Sequence, residues 1–190
     1  MRRHVAVFCA IAFLGAALDL LTKHLAFQYL QPFDPEVPVI EGYFSIGRTL
    51  NEGVVFGLGQ GARTLWLVVS IAAVPAILAI FFCARKPRWI LTITLGLILA
   101  GTIGNMYDRV TVGAVRDFIK FFYVRSNGTQ AVWPLFNLAD SCICVGVFLL
   151  TVEMLFFDEK KKKKTDDTPT LESPPPVDAV PGPGPAAGTE

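Results

Sequence analysis

Histidine is almost absent. The chain holds only His4 and His24, and neither lies in a His-Glu-x-x-His pattern, so a zinc hydrolase site has no ligand set. There is no Gly-x-Ser-x-Gly turn, and Ser141, which follows Asp140, has no histidine placed to activate it. Cysteine is scarce as well. Cys9, Cys83, Cys142 and Cys144 all fall in apolar runs, where they read as small hydrophobic residues rather than disulfide partners. Cys142 and Cys144 stand two apart on an expected helix, point to different faces, and make a poor metal pair. Charge is the third shortage. Only 17% of the residues are charged and the net charge is +1, which gives no electrostatic footprint for a nucleic acid. No internal repeat is visible.

Apolar residues are present in excess, at 53% of the chain with a mean hydropathy of +0.50. They are gathered into runs rather than spread, which points to membrane spans instead of a large soluble core. The spacing predicts helices over about 5–30, 64–84, 89–105 and 138–157. Each reaches the roughly 17 residues that are the lower limit for crossing a bilayer core. Pro75 interrupts the second, which a packed membrane helix tolerates. The first run resembles a cleavable leader, with Arg2 and Arg3 ahead of it, but its helical pattern continues past Leu18 and carries Asp19 and Lys23; an uncleaved span is expected.

Basic residues set the expected orientation. Arg2 and Arg3 precede the first span, Arg85, Lys86 and Arg88 link the second and third, and Lys160 to Lys164 follow the fourth. All fall on one side of four crossings, predicted to be cytoplasmic with both termini. The second outer loop carries Arg109, Arg116, Lys120 and Arg125, so the asymmetry is partial. The first outer loop, residues 37–57, mixes β-branched, aromatic and Gly residues and suggests short strands at the membrane surface. Residues 118–135 read as a hairpin turning at Asn127-Gly128. The fold expected is therefore an all-α polytopic membrane protein with four transmembrane helices, a small β-rich element in the first outer loop and a hairpin-like second one. A membrane domain over 1–157 would be followed by 158–190, basic and then Pro-rich and disordered.

Ionisable residues in or beside spans are costly and often functional. Asp19 and Lys23 are four apart on one helix face and can pair, either as a structural ion pair or as one that also shapes a site. Glu153 lies about a turn from the lysine run and could snorkel toward it. Asp108 adjoins Arg109, which suggests local charge pairing. Asp117 and Asp140 stand at the outer ends of spans three and four. They are either two separately solvated acids or a pair sharing one proton, one acting as base on water while the other polarises a carbonyl.

Several blocks in order make a more specific pattern: Asp19-Leu-Leu-Thr-Lys23, Asn51-Glu-Gly53-Val-Val-Phe56-Gly57, Gly104-Asn105-Met-Tyr-Asp108-Arg109, Gly113-Ala-Val115-Arg-Asp117-Phe118 and Phe136-Asn137-Leu-Ala139-Asp140. Together they resemble the lipoprotein signal peptidase (signal peptidase II) family over nearly all of residues 5–157. The resemblance implies an intramembrane aspartic endopeptidase of the bacterial cytoplasmic membrane, with its site at the outer face. It would need no metal or other cofactor and no oligomer. Its partners would be membrane lipid and its substrate, a diacylglyceryl-modified prolipoprotein cut just before the lipidated cysteine. The family's dyad falls on Asp117 and Asp140. Asn51, Gly53, Asn105, Arg109 and Asn137 match positions that line or order the site, Asp108 belongs to the same block as Asn105, and Asp19 and Lys23 match a pair near it. Leu20, Val55, Ala100 and Thr102 depart from the family's usual residues and bear on substrate fit. Two other classes stay open from the residues themselves. One is a small transporter or channel subunit using Asp19, Lys23 and Asp140 as an ion path; the other is a structural scaffold whose polar groups only join helices.

Overall fold

A computed structural model describes residues 1–32, 35–53, 63–84 and 88–166, with 156–166 described by backbone alone. Among these described residues, four helices are long and apolar enough to cross a membrane: α1 (Arg2–Tyr29), α2 (Arg63–Cys83), α3 (Trp89–Thr111) and α4 (Leu138–Asp166). Four strands, β1 (Val37–Ile40), β2 (Phe44–Asn51), β3 (Val115–Val124) and β4 (Gln130–Val132), form one antiparallel sheet in that order. The sheet lies at one end of the bundle, where α1 and α3 finish and α2 and α4 begin.

α3 is the hub. It packs against α1, α2 and α4, and small residues let it do so closely. A Cβ built on Gly15 would strike Ala100, one on Gly101 would strike the Ala139 carbonyl and Ile143, and one on Gly146 would strike Ile98. At the end away from the sheet, Phe8 stacks on Phe81 with ring centroids 4.1 Å apart, over Ala12, Ile77, Leu95 and Leu99. The buried residues of α2, Ile77 and Phe81, both lie beyond Pro75. The sheet-side half of α2 is therefore left to line a cavity.

Two elements run past their expected ends. α3 continues from 105 to Thr111, because nothing breaks the helix before Gly113. There φ is +92°, and the Gly113 N–H closes on the Asp108 carbonyl at 3.0 Å, a glycine stop. Asp108 and Arg109 thus sit on the last helical turn. α4 reaches Asp166 instead of ending at 157, so 158–166 is helical; 167–190 lies outside the described residues.

Arg48 joins the sheet to the bundle. Its Nη1 donates to the Leu30 carbonyl at 2.7 Å and to that of Phe27 at 3.3 Å, and its guanidinium lies 4.6 Å from the Phe27 ring centroid. A cation at the open carbonyls of a helix C-terminus is favoured by the helix dipole. This contact fixes where β2 starts relative to α1, and hence where Asn51 ends up.

Candidate active site

The first turn of α4 builds itself. Asn137 is the residue before the helix and Asp140 the third residue in it. The Asp140 N–H donates to Asn137 Oδ1 at 2.9 Å, and the Asn137 N–H donates to Asp140 Oδ2 at 3.2 Å. This reciprocal arrangement is a capping box, and it fixes the Asp140 carboxylate by purely local chemistry.

β3 delivers the second carboxylate. Asp117 is 1% exposed and lies near the start of β3, past the turn that ends α3. Its Oδ1 accepts from Asn137 Nδ2 at 2.7 Å and its Oδ2 from Asn51 Nδ2 at 3.0 Å. The Asn51 amide is oriented in turn, because its Oδ1 accepts from the Gly53 N–H at 3.0 Å. Register explains the meeting: β2 and β3 pair Thr49 with Asp117 and Asn51 with Val115. Asn137 therefore holds both aspartates at once. Burial, followed by the neighbouring Asp140 charge, raises the Asp117 carboxyl from its ordinary 3.8 to about 7, against the opposing hydrogen bonds from Asn51 and Asn137.

Asn105 binds the two halves. Its Nδ2 donates to Asp140 Oδ1 at 2.7 Å, while its Oδ1 accepts from Lys23 Nζ at 2.9 Å and Asn137 Nδ2 at 3.2 Å. Lys23 is fully buried and lies 2.8 Å from Asp19 Oδ2 and 3.3 Å from Asp108 Oδ2. Asp19 uses its other oxygen to accept the Ala139 N–H at 2.8 Å. Arg109 reaches across to the Gly53 carbonyl at 3.1 Å. A cavity of about 270 Å³ opens beside Asp140. α2 (Trp66, Val69, Ser70, Ala73) and α4 (Ile143, Cys144) form its walls, α3 (Thr102, Asn105, Arg109) its floor, and residues 133–136 its roof. Asp140, Asn51 and Gly53 line it directly; Asp117 stands one hydrogen bond further in, against Asn51 and Asn137.

Residues 11–156 match the family model described as Signal peptidase (SPase) II. The chain belongs to the signal peptidase II family. Relatives named lipoprotein signal peptidase include those of Sulfurihydrogenibium sp. strain YO3AOP1, 37% identical over 83% of this chain and 96% of its own length, and of Geobacter metallireducens, 32% identical over 82% and 94%. A solved structure described as a bacterial membrane enzyme superposes with a TM-score of 0.72 at 25% identity, covering 89% of this chain and 96% of that one. A second such structure gives 0.67 at 26% identity, covering 80% and 94%. The chain is thus a peptidase and a multi-pass bacterial membrane protein.

The side-chain pairings of Asp108 and Glu153 differ from those expected from the sequence. Asp108 does not pair with its neighbour Arg109. Its Oδ1 accepts from Arg116 Nε at 3.1 Å and Nη2 at 2.6 Å, and its Oδ2 from the Arg116 backbone N–H at 3.0 Å. The guanidinium of Arg109, one position on, is used on Gly53 instead. Glu153 is 2% exposed and sits 2.6 Å from Arg88 Nη2, since α3 begins beside that turn of α4; the lysine side chains lie outside the described ones. The sequence also hid Arg116 and the lining face of α2. Trp66, Ser70 and Ala73, spaced by four and three, share a helical face, and that spacing was the available signal. Val55, Phe56 and Gly57 lie outside the described residues.

Proposed function

We propose that this protein is an intramembrane aspartic endopeptidase. It removes the signal peptide from diacylglyceryl-modified prolipoproteins by cutting just before the lipidated cysteine. The observation that carries the reading is the joint attachment of Asp117 and Asp140 to Asn137 beside a cavity walled by membrane helices.

Two carboxylates anchored to one asparagine, with the Asp140 charge already pushing the Asp117 carboxyl up, share a proton more readily than they ionise together. With its carboxyl titrating at about 7, Asp117 is available in both forms at neutral pH, near the value best suited to proton transfer. One carboxyl takes a proton from a water as it attacks the scissile carbonyl. The other, protonated, donates to the carbonyl oxygen as the tetrahedral intermediate forms. Collapse returns a proton to the departing amine and leaves the pair with one proton again. Asn105 and Asn137 keep both carboxylates in place, and Lys23 locks the Asn105 amide in the orientation that donates to Asp140.

An apolar signal helix would enter from the bilayer, against the α2 and α4 walls. The basic clusters support an orientation with both termini in the cytoplasm and the sheet end at the outer face. An ion path through Asp19 and Lys23 is disfavoured, because both are fully buried and engaged with each other. The test is a purified-enzyme digest of a diacylglyceryl-modified prolipoprotein peptide, read by mass spectrometry. The expected products are the free signal peptide and a chain beginning at the lipidated cysteine. Cleavage at another bond, or no cleavage by folded enzyme, refutes the proposal.

A further inference from the structure

A second cavity, of about 340 Å³, lies between the sheet-side ends of α1 and α3 and the start of β3. Leu20, His24, Tyr107, Thr111, Val112 and Arg116 line it. It shares no lining residue with the cavity beside Asp140. His24 stands within two turns of the end of α1, and Thr111 is the last residue of α3, so the cavity sits where the helices leave the apolar part of the bundle. In a bilayer that is the depth of lipid headgroups, where tyrosine is enriched.

Its polar groups are donors with capacity to spare. Arg116 is held by Asp108 through Nε and Nη2, while Nη1 has no hydrogen-bond partner among the described residues. The Tyr107 hydroxyl and the exposed His24 ring likewise have none among them. Among the described residues no carboxylate lines the cavity. A guanidinium already oriented by a carboxylate, with a free nitrogen beside a phenol and an imidazole, suits a tetrahedral oxyanion better than any cation. Leu20 and Val112 add an apolar margin of the kind an acyl ester would meet.

We propose that this cavity binds a phosphate group, either the phosphodiester of a membrane phospholipid or free phosphate. The site has a direct line to the dyad. Arg116 contacts Asp108, Asp108 contacts Lys23, Lys23 contacts Asn105, and Asn105 contacts Asp140. A phosphate on Nη1 would hold the Arg116 fork against Asp108 and stiffen that line. This consequence for turnover rests on the aspartic reading above, whereas the binding itself does not.

The experiment uses the full chain in phosphate-free alkyl maltoside micelles. Retention of added phosphatidylglycerol is counted by native mass spectrometry, with a monoacylglycerol as the phosphate-free control and inorganic phosphate as competitor. Wild type is expected to retain phosphatidylglycerol over the monoacylglycerol. His24→Leu and Tyr107→Phe are each expected to weaken retention by about tenfold, the effect of losing one hydrogen bond to a charged group. Arg116→Gln should weaken it further, but that change also strips Asp108. The first two variants, checked by thermal unfolding, therefore carry the test. Displacement by inorganic phosphate alone would assign the site to free phosphate; resistance to it would assign the site to lipid. Equal retention of the monoacylglycerol, or unchanged retention in both folded variants, would overturn the proposal. Turnover of a lipidated peptide in the same micelles is the second readout. An enzyme that binds phosphatidylglycerol yet cleaves nothing would count against the aspartic reading and leave the binding site standing.

Discussion

Replacing Asp117 by Asn should leave an enzyme that is inactive and whose stability depends on pH differently. The wild-type carboxyl titrates at about 7 when folded and at 3.8 when free. Between those values the folded state binds more protons at Asp117 than the unfolded one, so the stability that this group contributes falls as pH rises through that window and levels off above it. Each pH unit of difference is worth 1.36 kcal/mol, so the loss is about 4 kcal/mol in all. Asn has no charge to desolvate and removes that loss. It brings a different cost. Asn51 and Asn137 both point N–H groups at Asp117, and both are fixed by bonds to Gly53, Asp140 and Asn105. One of them must then face the new amide nitrogen, at a cost of about 1–3 kcal/mol. The two effects have opposite signs. Below about pH 4.5 the variant should be less stable than wild type, and at about pH 8 it should be more stable, by about 1–3 kcal/mol. Thermal unfolding in detergent across that range reads the crossing. Parallel pH profiles for the two proteins would show that Asp117 does not titrate near neutrality, and would remove the basis for giving it the shared proton.

Gly104→Ala places a methyl against Asp19 Oδ2 and the Ala139 side chain; the expected cost is about 1–3 kcal/mol, measured by thermal unfolding, with turnover reduced because Asp19 is the partner of Lys23. Lys23→Met leaves Asp19 and Asp108 buried without their shared cation and should destabilise by about 3–5 kcal/mol, together with a loss of turnover in whatever protein remains folded. Glu153→Gln, at the opposite end of the bundle, should lower the unfolding temperature while leaving kcat of the folded enzyme unchanged. Removal of residues 167–190, a stretch rich in Pro, Gly and acid, should leave turnover of the purified enzyme intact.

Much of the bundle was readable because membrane spans announce themselves by length and apolar content, and α1 to α4 lie on the four runs. Their ends were less readable. Polar residues such as Asn105 and Asp108 look like the close of a span, yet the α-helix persists to the first residue able to take positive φ, Gly113. The pair of Asp19 and Lys23 followed from helical spacing alone. The capping box of Asn137 and Asp140 was equally local, and is legible as Asn-x-x-Asp at the start of an apolar run. By contrast, Asp117 meets Asn137 through the register of β2 and β3 and the position of α3, and spacing alone left it as either a lone acid or a partner. Arg116 was hidden for the same reason. Its contact with Asp108 depends on the turn at Gly113 folding β3 back beside the end of α3, whereas adjacency in sequence pointed to Arg109.

The central claim is that Asp117 and Asp140 act as one unit on a lipidated substrate. It is tested most directly by turnover of a diacylglyceryl-modified prolipoprotein peptide by purified Asp117→Asn, Asp140→Asn and the double variant, each shown to be folded. Neither residue can supply the other's half of the proton exchange, so each single change should abolish cleavage and the double change should add almost nothing, as for residues that work together. Wild-type-like cleavage by either folded single variant would contradict the account.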